Sequence, residues 1–142
     1  MKKIIVLITM LVLITGPAVA QDVFGLWRTI DDNTGTAKSH VEIYEKNGKV
    51  FGKVKAIMNP EKQDVVCDNC EGADKDKPVI GLVIIRELEK DGSEYNDGKI
   101  LDPETGKLYK CYIELQDDDR LKVRGYIGFS LLGRTQYWER IK

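Results

Sequence analysis

The chain has 142 residues, of which 22 are basic, 23 are acidic and 42% are hydrophobic. This length suits a single domain, and the balanced charge without a basic cluster argues against nucleic acid or an anionic membrane surface as a partner. Three cysteines are too few for a disulfide scaffold, so the fold has to depend on an apolar core.

The first 20 residues have the three parts of a bacterial export signal. Two lysines precede an apolar run over residues 4–14, and small residues at 18 and 20 suit signal peptidase. The run is shorter than the roughly 20 residues of a spanning helix, so we expect cleavage after Ala20 and no stable membrane anchor. This predicts a domain over residues 21–142, with a net charge of −3, in the periplasm or outside the cell.

The first part of that domain consists of short β-type runs. We predict strands over residues 24–30, 39–46 and 49–57, because apolar and polar residues alternate there. Asn47-Gly48 separates the second run from the third, and an Asn-Gly pair in that position is a strong hairpin signal.

The pattern is lost over residues 58–78, a polar segment with two cysteines. A loop of that length inside a compact domain is usually functional or mobile. Residues 79–88 then form a strongly apolar run, for which we predict a strand, with a helix as the weaker alternative.

The remaining runs alternate more regularly and are separated by clear turns. We predict strands over residues 95–101, 108–116, 120–127 and 134–141. Eight antiparallel strands leave two unpaired edges unless the sheet closes, so the expected fold is all-β, a single eight-stranded up-and-down barrel. A two-sheet sandwich is the competing arrangement.

Two elements near the ends of the domain resemble the lipocalins and the wider calycin families. Gly25-Leu26-Trp27 matches their N-terminal Gly-x-Trp, whose indole packs across the closed end of the barrel. In those families an arginine of a late strand lies over that ring. The resemblance implies structural roles for Gly25, Trp27 and Trp138, with Arg134 or Arg140 as the arginine.

A wider resemblance covers nearly the whole domain. The chain resembles the bacterial secreted family known as domain of unknown function 2147, which implies a lipocalin-like barrel in the cell envelope and no agreed activity. The matching motifs are Gly25-x-Trp27, Cys67-Asp68-Asn69-Cys70, Pro78-Val79-Ile80-Gly81, Gly98-x-Ile100, Asp102-Pro103-x-x-Gly106-x-x-Tyr109, Leu121-x-Val123-Arg124-Gly125-Tyr126-Ile127-Gly128 and Gly133-Arg134-Thr135-Gln136-x-Trp138.

The cysteines admit several interpretations. Cys67 and Cys70 form a C-x-x-C in a polar loop, for which a local disulfide is favoured over metal binding or redox activity. The surrounding acidic residues raise a thiol pKa instead of lowering it, and a zinc site lacks its remaining ligands. Cys111 falls on the apolar face of its strand and is predicted to be a buried thiol, with pairing to the loop as the alternative.

Alternation places an apolar set of side chains inside the barrel. This interior, lined by Tyr109, Cys111, Val123 and Ile127, suits a small apolar or amphipathic ligand, and no cofactor or metal is expected. A filled core without a ligand, in an envelope structural or protein-interaction module, is the alternative. The apolar residues 129–132 then provide a contact surface.

An enzymatic role ranks last. His40 is the only histidine, and it shares a strand face with Glu42 and Tyr44, so we expect a surface histidine. A catalytic base requires a nucleophile and an orienting partner, and no such motif is visible.

Overall fold

The computed structural model describes residues 22–129 and 131–142, together with Gly16. Apart from that glycine, the predicted signal peptide, residues 1–20, lies outside the described residues. In these described segments no helix has the length and apolar character needed to cross a membrane.

The described residues form eight antiparallel strands around a closed barrel. The first strand pairs with the second and also with the last, which closes the sheet. The predicted lipocalin-like, up-and-down barrel is therefore confirmed, and the sandwich alternative is excluded. In chain order the strands are β1 (Gly25–Ile30), β2 (Ala37–Lys46), β3 (Lys49–Ile57), β4 (Val83–Asp91), β5 (Glu94–Asp102), β6 (Lys107–Asp117), β7 (Arg120–Tyr126) and β8 (Gly133–Arg140).

The turn residues explain the tight connections. Asn47 and Gly48 adopt φ angles of 54° and 77°, as a two-residue type I′ hairpin requires. Alternation then directs one side of each strand inward, and the inward side chains form the core. Its fully or almost fully buried members include Trp27, Val41, Ile43, Val50, Val54, Ile85, Leu88, Cys111, Ile113, Leu121, Val123 and Trp138.

The fourth strand begins later than its apolar run suggests. The strand predicted over residues 79–88 starts only at Val83. Gly81 has a φ of +96°, which interrupts the extended backbone, and its N–H donates to the Val54 carbonyl at 2.7 Å. Val79 is nonetheless buried in the core cluster, and its N–H donates to the Val65 carbonyl at 3.0 Å. The hydrophobicity of residues 79–82 therefore indicated burial and did not indicate a strand.

The long connection over residues 58–82 is ordered against the barrel. It contains two short 3₁₀ turns, Pro60–Lys62 and Gly72–Asp74, and the Cys67–Cys70 disulfide. Asp74 forms an ion pair with Arg86, with 2.9 Å between Asp74 Oδ2 and Arg86 Nη2. Arg86 alternates with the inward Ile85, so this contact holds the loop against the outer face of β4.

The same loop docks on the turn between β5 and β6. The Asn69 side-chain amide donates to the Glu104 carbonyl at 2.9 Å, and Cys67 Sγ lies 3.4 Å from the Pro103 carbonyl oxygen. Gly106 sits directly beneath, and a Cβ added there would lie 1.9 Å from the Asn69 carbonyl oxygen. This contact packs the Cys67–Cys70 loop closely against the Gly106 turn.

Candidate functional site

The barrel has two unlike ends, which follow from its up-and-down order. The connections at one end are residues 31–36, 58–82, 103–106 and 127–132, and we call it the open end. The opposite end carries three two-residue turns and the N-terminal segment 22–24, and we call it the closed end. The two ends have to be considered separately as sites.

The closed end is sealed by an arginine over a tryptophan. The Arg140 guanidinium lies 4.3 Å from the Trp27 ring centroid, a cation–π contact. The same group donates to the carbonyls of Phe24 at 2.9 Å and Asp22 at 2.7 Å, while Trp27 Nε1 donates to the Val23 carbonyl at 2.8 Å. These contacts pack the closed end of the barrel.

This arrangement settles which arginine contacts Trp27. Of the two arginines that the resemblance allowed, Arg140 lies over the ring, whereas Arg134 of the structural signature lies at the open end and pairs with Asp32 at 2.8 Å. Gly25 lies against the same arginine: its φ is +126°, and a Cβ there would approach the Arg140 guanidinium to 3.3 Å. Trp138 is also structural, with only 2% of its surface exposed.

Tyr95 ties the N-terminal segment to the barrel at the closed end. Its hydroxyl donates to the Asp22 carboxylate at 2.7 Å, and its ring lies edge-on to Phe24. Burial, together with the Asp22 carboxylate, raises the pKa of Tyr95. The phenol consequently stays protonated and keeps this tie in place.

The predicted ligand-lining residues divide into an interior group and one outlier. Tyr109, Cys111 and Val123 face the interior on β6 and β7. Ile127 lies beyond the end of β7 and is 61% exposed, so its predicted interior position is wrong. The alternation was extended one residue past the point where the strand ends.

The cysteines occupy two different environments. Cys67 and Cys70 form the local disulfide, whereas Cys111 is a buried free thiol. Burial raises the pKa of the Cys111 thiol to about 12, so it is protonated and unreactive at neutral pH.

His40 is half-buried on the outer face of β2, between inward Ser39 and Val41. No group of three or more His, Cys, Asp or Glu side chains among the described residues is placed to hold a metal ion.

Inward-facing side chains become more accessible towards the open end. Trp27, Ile113 and Leu121 fill the lower half and are fully buried. Higher in the barrel, Ile100 and Tyr109 face the interior yet remain partly exposed. The upper interior is thus an apolar wall that solvent reaches, above a filled base.

A polar chain runs from the open rim into this upper interior. The Asp32 carboxylate accepts from Arg134 at 2.8 Å and from Gln136 Nε2 at 3.3 Å. Gln136 Oε1 in turn accepts from Trp138 Nε1 at 3.3 Å, which orients the amide. On the neighbouring strands β1 and β2, the hydroxyls of Thr29 and Ser39 share a hydrogen bond of 2.7 Å. These groups are the polar handles of the open end.

Asp32 and Gln136 were missed by the sequence analysis. Asp32 lies in an ordinary turn sequence, and Gln136 is a single polar residue on a strand. The one indication in the sequence was alternation, which places residue 136 on the same inward face of its strand as Trp138. Their meeting depends on the β1–β8 closure, which brings together residues 104 positions apart.

The turn between β7 and β8 projects large apolar side chains at the same end. Phe129 is 87% exposed, Leu131 88% and Leu132 73%. Such a group of exposed apolar residues is unusual on a small domain. It was predicted as an apolar turn and is exposed.

Two depressions lie on the outer wall of the barrel. One, of about 550 Å³, crosses the outer faces of β3 to β7, and the other, of about 680 Å³, lies nearer the β4–β5 turn. Both are bordered by Asp97 and Tyr126, so they adjoin.

Comparisons with known proteins agree with this architecture. The chain is similar in structure to protein HP1028 from Helicobacter pylori, which is described as belonging to the lipocalin family. The TM-score is 0.76 at 19% sequence identity, over 87% of this chain and 85% of that one, a likeness of fold. No curated protein matches the chain. The family model for an uncharacterized protein conserved in bacteria, DUF2147, matches residues 25–140, and the chain belongs to that family.

Proposed function

We propose that the protein binds a small apolar or amphipathic molecule in the upper interior of the barrel, entering through the open end. One observation carries this proposal: the inward wall formed by Ile100 and Tyr109 is apolar and partly exposed, while the base beneath it is filled. Small-molecule sites combine such apolar walls with a few fixed polar groups.

The polar groups at the rim suit an amphipathic ligand. The apolar part of the ligand lies against the upper wall, and its polar part meets Asp32, Arg134 and Gln136. Arg134 is well exposed at the rim, so its guanidinium remains accessible on the side away from Asp32. Because the base is filled, the ligand occupies only the upper half of the barrel and remains small.

Native mass spectrometry tests this proposal on protein purified under mild conditions. We expect a reproducible added mass that is lost on denaturation and recovered by organic extraction. Tyr109→Ala removes an inward wall residue and should abolish the added mass. Tyr112→Ala is the matched control, because Tyr112 lies on the outer face of the same strand. Equal retention in both variants, or a bare mass that also rejects fatty acids and apolar dyes, would contradict the proposal.

The exposed turn favours a second function, in which the open end contacts another protein. Phe129, Leu131 and Leu132 present apolar surface to solvent without a covering element among the described residues. If mass spectrometry shows no bound molecule, this second function is tested by chemical crosslinking. The wild-type full chain is then compared with the variants Phe129→Ser and Leu131→Ser. If the open end contacts another protein, the wild type should form crosslinks to a defined partner, and each substitution should reduce the yield of those crosslinks.

A further inference from the structure

A row of basic side chains crosses the outer wall of the barrel. Arg86 on β4 is directly opposite Lys99 on β5, and Lys99 is directly opposite Lys110 on β6. Tyr126 on β7 is the next residue in this row. All four are on the outer face, because their inward neighbours, among them Ile85 and Cys111, belong to the core. Three like charges therefore stand side by side.

Such a row is unfavourable for the sheet by itself. Like charges directly opposite each other on neighbouring strands destabilise the pair. Arg86 is neutralised by Asp74 at 2.9 Å. Lys99 and Lys110 form no ion pair within the described part of the chain, and both are exposed. The fold thus keeps two unneutralised ammonium groups next to each other.

The row lines a depression on the outer wall. Phe51, Leu108 and Tyr126 add apolar surface to the groove of about 550 Å³ that contains both lysines. We call this groove, with Phe51, Lys99, Leu108, Lys110 and Tyr126, the outer groove. Its volume falls within the roughly 300–1,000 Å³ that is usual for small-molecule sites.

Backbone irregularities accompany the depression. Glu87 and Asp97 have φ angles of 58° and 62°, a left-handed conformation that is uncommon for residues other than glycine. Both lie between the paired positions Arg86↔Lys99 and Glu89↔Asn96, where the ladder of β4 and β5 is interrupted. Residues held in such conformations cluster at ligand sites.

The two irregular residues also limit what the groove accepts. Their carboxylates line the same depression without pairing to either lysine among the described contacts. A ligand with several negative groups meets Glu87 and Asp97 as well as the lysines, whereas a ligand with one negative group avoids that repulsion.

We propose that the outer groove binds a small aromatic molecule with a single negative charge. The charged group lies on Lys99 and Lys110, and the ring lies against Leu108 and Tyr126. This site is separate from the open end of the barrel, so the proposal does not depend on the proposed function and is tested independently of it.

The test uses 8-anilinonaphthalene-1-sulfonate, an aromatic monoanion, with amide shifts of the isotope-labelled protein as the map of binding. We expect the largest shifts at residues 97–99, 110 and 126, which line the outer groove. Its neutral analogue N-phenyl-1-naphthylamine should leave these amides unmoved. Lys99→Gln/Lys110→Gln should weaken sulfonate binding by about five- to tenfold, the loss of two exposed charge contacts.

Two further variants keep the test decisive. Lys46→Gln/Lys55→Gln removes the same charge from lysines elsewhere on the wall and should leave the affinity unchanged. Asp97→Asn should tighten binding by about two- to threefold, since asparagine tolerates the left-handed backbone while the repulsive charge is removed. Sulfonate shifts confined to the open end, no binding, or equal weakening in both lysine pairs would each overturn the proposal.

Discussion

Replacing Gly106 by alanine should detach the Cys67–Cys70 loop from the barrel. Gly106 has a φ of +73°, and a Cβ there would lie 1.9 Å from the Asn69 carbonyl oxygen, far below the 3.4 Å at which ordinary contact begins. Backbone surrounds the new methyl group, so no side chain can rotate away. The loop has to retreat and release the bond from Asn69 to Glu104.

The expected cost has two parts. The left-handed conformation of an alanine costs about 1 kcal/mol, and the released loop contacts add about 1–2 kcal/mol. Gly48→Ala is the matched control, because Gly48 has a φ of +77° and nothing within 4 Å of its added Cβ. Urea unfolding should therefore show a loss of about 1 kcal/mol for Gly48→Ala and about 2–3 kcal/mol for Gly106→Ala.

Limited trypsin digestion locates the effect. The loop carries exposed lysines at 62 and 75, and cleavage there should accelerate in Gly106→Ala but not in Gly48→Ala. Equal losses of stability in the two variants, or equal cleavage rates, would refute the docking of this loop on the β5–β6 turn.

Three further changes test other parts of the structure. Arg140→Lys should lower the unfolding free energy by about 2 kcal/mol, since lysine cannot reproduce the fork over Trp27, whereas Arg134→Lys should change it by less than about 0.5 kcal/mol; equal urea midpoints would contradict this. Replacing both loop cysteines by alanine should cost about 2 kcal/mol, the entropy of a short closed loop, and leave the far-ultraviolet spectrum of the barrel intact. Burial raises the pKa of Cys111 from 9.0 to about 12, so its contribution is intact below pH 9 and is lost as the pH rises towards 12. Between pH 8 and about pH 10.5 the wild type should lose about 2 kcal/mol more than Cys111→Ala, and parallel losses in urea titrations would sink that assignment.

Local patterns were sufficient for most of the barrel. Alternation located the strands, and Asn47-Gly48 marked a hairpin whose φ angles are those of the expected turn. The failures occurred where alternation met a strand end. Gly81 interrupts an apolar run before β4, and Ile127 continues the parity of β7 after the strand has ended. A periodic pattern contains no signal for the residue at which hydrogen bonding stops.

Contacts between distant residues were beyond the reach of such patterns. Arg134 and Arg140 lie on the same strand with the same parity, so sequence alone cannot choose between them. Their positions along β8 determine which of them contacts Trp27. Arg140 is paired with Trp27, whereas Arg134 lies near the open end of the strand. The pairing of Asp32 with Gln136 depends in the same way on the closure of the barrel.

The outer groove illustrates a further limit. Lys99 and Lys110 are ordinary exposed residues in sequence, and only the strand register places them opposite each other. The left-handed conformations of Glu87 and Asp97 likewise have no local signature, since neither residue is a glycine and neither lies in a turn.

The location of a bound apolar molecule tests the central claim most directly. Amide shifts of the labelled protein, followed during titration with neutral N-phenyl-1-naphthylamine, report that location residue by residue. Binding in the upper interior predicts shifts at Tyr109 and Gln136, with the closed-end residues Trp27 and Arg140 unmoved. Shifts confined to the outer wall, or none at saturating probe, would contradict a ligand site at the open end.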